Sequence, residues 1–120
     1  MTYLVEIKSD HVYVKYSDEV TALDVIALFS DQLFITSFRT LQAVIHDFSG
    51  AKNVNMAFAD IRELAVLSNI ESNFTEKLTA IIIPFDPTSS ERVTALCDAI
   101  RAKDWHIQIA TSYPEALALI

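Results

Sequence analysis

The sequence predicts an α/β fold, a mixed sheet that opens with an antiparallel hairpin and continues as βαβα units. Three observations carry this. "YLVEIK" and "HVYVKY" alternate apolar and polar residues on either side of a short "SD" turn, the period of a half-buried hairpin. "LQAVIHDF" and "LTAIIIPF" are near-continuous apolar runs, which fits strands at the sheet centre or covered by helices on both faces. Between and after these runs come segments of helical period, each opened by a capping residue.

The elements follow in order. Thr21 with Asp24 three residues later forms a capping box and opens a helix over 22–34. Its expected core stripe is Leu23, Ile26, Ala27, Ser30, Leu33 and Phe34. After the first apolar run, Asn55 is the expected N-cap of a helix over 56–70. After the second, Thr88 caps a helix with Glu91 at its third position, and Val93, Leu96, Cys97 and Ile100 form the buried stripe. "WHIQIA" is the last strand, and Ser112 with Glu115 opens a final helix in "SYPEALALI". The order is therefore β-β-α-β-α-β-α-β-α, with right-handed crossovers joining the later, parallel strands. A single domain over 1–120 is expected from length and from the absence of a linker or repeat.

Composition narrows the function. The 120 residues are 52% hydrophobic and 21% charged, a globular balance, with a net charge of −7 and no basic cluster. Nucleic acid and anionic membrane surfaces would repel such a chain. The lone Cys97 makes no intrachain disulfide, "MTYLVEIKSD" lacks a secretory pattern, and no apolar run approaches membrane-span length; a cytosolic protein is expected. Gly50 is the one glycine, so both the P-loop and the dinucleotide fingerprint are absent.

Candidate chemistry is sparse. Asp47, Asp86 and Ser112 fall near the C-terminal ends of parallel strands, where α/β folds place sites, but no nucleophile, metal set or phosphate loop accompanies them. Asp47 and Asp86 read as turn residues, and Ser49 with Gly50 as the turn in "DFSG". His11, His46, His106 and Cys97 share no ligand spacing, so no metal and no cofactor is expected. His11 is expected on the hairpin surface. His46 and Asp47 point to opposite faces of their strand and make no dyad.

The helix over 56–70 is the most informative segment. At about 100° per residue, Ala57, Ile61, Leu64, Ala65 and Ser68 share the core face. Ala59, Val66 and Ile70 cluster opposite, flanked by Arg62 and Glu63. A second apolar stripe means cover by a neighbouring element, a partner surface, or isolated exposed hydrophobes.

The element order, with "VIHDFSGAKNVNMAFADIREL" and "EVTALDVIALF", resembles the SpoIIAA-like fold of STAS domains and anti-sigma-factor antagonists. The resemblance is nearest to the bacterial branch labelled STAS/SEC14-like. It implies a non-enzymatic regulatory module that meets a protein partner or a second copy through the helix following "DFSG". The implied contact residues are Asn55, Met56, Ala59, Arg62, Glu63, Val66 and Ile70. Regulatory members carry an Asp-Ser pair at this helix start, the serine being phosphorylated; here the stretch reads Asn55, Met56, Ala57, with no hydroxyl. The SEC14-like label implies an alternative, a carrier of a small apolar ligand or lipid, with Phe29, Phe34, Phe38, Phe48, Phe58 and Phe74 lining its cavity.

Overall fold

The hairpin expected at the N-terminus is β1 (Tyr3–Ile7) and β2 (Val12–Tyr16), antiparallel with Val5 opposite Val14. The computed structural model describes residues 2–120, and of Pro87 and Thr88 the backbone alone. Next to β2 lies β4 (Ala43–Asp47), then β6 (Leu78–Ile83) and β7 (Trp105–Ile109), giving one sheet of order β1-β2-β4-β6-β7. Every pairing after the first is parallel, as the crossover pattern required.

One face of this sheet carries Val12, Val14, Tyr16, Val44, Leu78, Ala80 and Trp105. Helices α1 (Ala22–Leu28), α2 (Gln32–Leu41), α3 (Phe58–Glu71) and α4 (Pro87–Ala99) lie on that side. The other face buries Tyr13, Ile45, Ile81 and Ile83 under the short α5 (Tyr113–Leu117), through Tyr113 and Ala116. The cover is therefore unequal, with most of the apolar core on one side.

Several expectations are corrected. The helix over 22–34 is two helices. Asp31 starts the second one, its carboxylate accepting the Phe34 N–H at 3.2 Å, as short polar side chains do at helix N-termini. The break resets the phase: Ala22, Val25 and Leu28 are buried on α1, and Phe34, Ile35 and Phe38 on α2. Leu23 and Leu33, both expected inside, are 76% and 56% exposed.

A second, two-stranded sheet pairs β3 (Asp18–Thr21) with β5 (Ala51–Asn55) in parallel. Because Asn55 ends β5, opposite Thr21, its backbone stays extended and it does not cap α3. The cap is Ala57, and Asp60 accepts the Ala57 N–H at 2.8 Å. Ala57 itself is exposed, while the rest of the expected inner face of α3 is buried. On α4 the cap is Asp86, two residues before Thr88; its carboxylate accepts the Ser89 N–H at 2.9 Å. The Thr88 side chain lies outside the described residues. Thr21 and Ser112 do stand at the helix starts assigned to them. Asp24 accepts the Thr21 N–H, and the Ser112 hydroxyl accepts the Glu115 N–H.

Candidate functional site

The "DFSG" corner is a turn built on one carboxylate. Asp47 Oδ1 accepts the Ser49 N–H at 3.0 Å and the Ser49 hydroxyl at 2.6 Å, an Asx turn. Its Oδ2 accepts the Tyr13 hydroxyl at 2.6 Å, and burial followed by this bond raises the Tyr13 pKa. Gly50 fits because a Cβ there would stand 3.3 Å from the Tyr16 carbonyl oxygen. Asp86 and Ser112 are helix caps. Asp47 lies on the α5 side of the sheet, and Asp86 stands at the start of α4.

The histidines separate completely. His11 is buried, not on the hairpin surface, with its ring nitrogens 2.7 Å from the Asp10 carboxylate and 2.9 Å from the Tyr113 hydroxyl. The reason is α5, whose Tyr113 closes over the end of β2. His106 is exposed on β7. Cys97 is half-buried on α4, and burial with Asp98 beside it raises its thiol pKa. Among the described residues no group of three His, Cys, Asp or Glu side chains could hold a metal ion.

His46 points the other way from Asp47, into a cavity of about 120 Å³ between the sheet and helices α3 and α4. The walls are apolar: Val44 and Ala80 from the sheet, Leu64 from α3, Val93 and Leu96 from α4, and Trp105 from β7. Helix α4 packs against α3 and, at its C-terminal half, against β7, and the cavity lies between these elements. Of its expected buried stripe only Val93 is fully buried, while Leu96, Cys97 and Ile100 are half-buried. Asn69 of α3 holds the end of α4 in that position, donating to the Ala99 carbonyl at 3.3 Å and accepting the Arg101 N–H at 2.9 Å. The small side chains of Ala80 and Ser68 leave the space opposite.

Burial pushes the His46 pKa down to about 4, so the ring facing the cavity is neutral at neutral pH. Of the six phenylalanines considered for a cavity, Phe29, Phe38 and Phe48 line it. Phe34 is packed in the core, and Phe58 and Phe74 are 52% and 64% exposed.

The outer face of α3 presents Ala59, Arg62, Glu63, Val66 and Ile70 to solvent, with Asn55 exposed just before it. Phe58 joins this stripe. Met56 does not belong with the contact residues: it is buried and lines the cavity.

No family model and no curated protein matches the chain. Among solved structures it is similar to an uncharacterised protein of the DUF3478 family with a SpoIIAA-like fold from Shewanella loihica PV-4. The TM-score is 0.60 at 12% identity, over 98% of this chain and 92% of that one. The chain has a SpoIIAA-like fold.

Within this SpoIIAA-like fold, the junction from β5 to α3 reads Asn55, Met56, Ala57, so the helix start carries an amide, a buried thioether and a methyl group. Sequence reasoning missed Arg92, which lines the cavity from α4. Its signal was present: Arg92 stands beside Val93 and one turn before Leu96, an arginine on an otherwise apolar stripe. Among the described residues no helix is long and apolar enough to cross a membrane.

Proposed function

We propose that the chain is a non-enzymatic binding module whose site is the cavity between the sheet and helices α3 and α4, and whose ligand is a small, largely apolar molecule. The observation that carries this is the cavity itself. It offers about 120 Å³ of space walled by apolar side chains, whose contacts water makes poorly. An apolar cavity of about 150 Å³ is enough to bind benzene. A molecule of that size would make those contacts and stabilise the fold by mass action. The place also suits a ligand site, since His46, Phe48 and Phe85 bring the C-terminal ends of two parallel strands to its wall. Native mass spectrometry of the purified protein tests this, with a bound small molecule expected that is released on denaturation. An empty protein whose melting point is unmoved by a panel of small apolar compounds would overturn it.

A second reading rests on the outer face of α3. Phe58, Val66 and Ile70 are exposed there, with Arg62 and Glu63 beside them. The occupant we infer is a second copy of the chain. Two-fold antiparallel pairing of the helices would set each Arg62 near the other copy's Glu63 around an apolar centre. Sedimentation equilibrium tests it: a dimer supports the reading, and a monomer at high concentration contradicts it.

A further inference from the structure

His46 stands on β4 in the middle of the sheet, between β2 and β6, and its ring lines the cavity. The two ring nitrogens have different surroundings. Nδ1 lies 2.9 Å from the Tyr16 hydroxyl. Nε2 has no hydrogen-bond partner among the described residues, and it is not sealed under protein, so the half-buried ring keeps a polar edge on the cavity wall.

Tyr16 decides which nitrogen carries the proton. Its side chain is fully buried, and His46 Nδ1 is the partner of its hydroxyl. A proton on Nδ1 would leave the phenol hydrogen without an acceptor among the described residues, a costly arrangement in the interior. The hydroxyl therefore donates to Nδ1, and the neutral ring carries its proton on Nε2. The other polar groups on this wall are engaged or out of reach. Ser68 donates to the Leu64 carbonyl, Ser89 to Asp86 and the Trp105 indole to the Thr75 carbonyl, and the Arg92 Nε is covered by protein.

We propose that His46 Nε2 is the recognition group of the cavity, and that the ligand is a small uncharged molecule with an apolar body and one carbonyl. This rests on the cavity reading above and names the class of ligand. The carbonyl would accept from the Nε2–H, while the body meets Val44, Ala80, Val93 and Trp105. A carboxylate fits less well, because a single neutral N–H leaves most of an anion's lost hydration unreplaced.

NMR titration of the full chain with cyclohexanone and with methylenecyclohexane tests this, since the probes share a shape and differ in C=O against C=CH2. Long-range proton–nitrogen spectra should show the His46 proton on Nε2, with its signal moving to lower field on adding cyclohexanone. His46→Asn sets an amide oxygen where Nδ1 stands, which keeps an acceptor for Tyr16 and removes the N–H from the cavity. The ratio of cyclohexanone to methylenecyclohexane affinity should fall at least about fivefold in this variant, the effect of one lost hydrogen bond. The spectra of the native protein carry the test if the asparagine variant does not fold. A proton on Nδ1, or a ratio unmoved by His46→Asn, would overturn the role of His46 while the cavity reading stands. Binding of neither probe would overturn both.

Discussion

Tyr16 and His46 meet across neighbouring strands β2 and β4, with the phenol oxygen 2.9 Å from the imidazole Nδ1. The Tyr16 ring also stacks on Phe48, centroids 4.1 Å apart, so Tyr16 backs both His46 and Phe48, which line the cavity. His46 keeps an edge open to the cavity, but protein atoms surround it and burial holds its pKa near 4.

This pair makes stability depend on acid. The unfolded histidine has a pKa near 6.5 and the folded one about 4, so the unfolded state takes up the proton first. The His46 contribution is complete above about pH 6.5 and is lost progressively as the pH falls to about 4, by up to about 3 kcal/mol. Urea melts between pH 7 and pH 4 check this against His46→Gln. The variant should show the shallower decline; parallel curves would remove His46 as the cause.

Filling the cavity from the sheet side should stabilise the protein and block its site. Ala80 is buried on β6 and lines the cavity, and Ala80→Val adds two methyl groups with good strand propensity. Stability should rise by about 0.5–1.5 kcal/mol while binding of a small apolar probe weakens. Thermal melting and calorimetry on this one variant measure both effects.

The ion pair between α2 and α3 should be asymmetric. Glu71 is buried and accepts from Arg39 Nε at 2.8 Å and Nη2 at 2.9 Å, and from the Thr75 hydroxyl at 3.1 Å. Arg39 is partly exposed and lies over the Phe74 ring. Arg39→Met strands a carboxylate in the interior, whereas Glu71→Gln keeps a hydrogen-bonding group there and leaves Arg39 free to turn to water. The arginine variant should therefore have the lower melting temperature.

Val66 is 58% exposed, so Val66→Asp should change stability by no more than about 0.5 kcal/mol. If two copies meet through this face of α3, the same change should dissociate them, because an unpaired carboxylate is expensive in an apolar interface. Sedimentation separates the outcomes.

The main sheet was legible because its strands carry period-2 or continuous apolar patterns, from Tyr3 to Ile109. The small sheet of β3 and β5 was not. Apart from Val20 and Val54, those strands show little apolar pattern to read. The break at Asp31 was hidden because Leu33 and Phe34 continue an apolar pattern across it, and only the cap bond to Phe34 reveals the restart. The two faces of α3 were readable from spacing, apart from Ala57 and the inward turn of Met56. The cavity was out of reach, since its walls come from strands and helices far apart in sequence. Long-range bonds from Asn69 tie the end of α4 to α3, and no local pattern encodes them.

The most direct test of a ligand site in the cavity is a heteronuclear NMR titration of the full chain with toluene, a neutral probe of cavity size. Saturable shifts should appear at His46, Ala80, Val93 and Trp105, and should weaken in Ala80→Val. Shifts confined to the outer face of α3 at Val66 and Ile70, or no saturable shift at all, would contradict it.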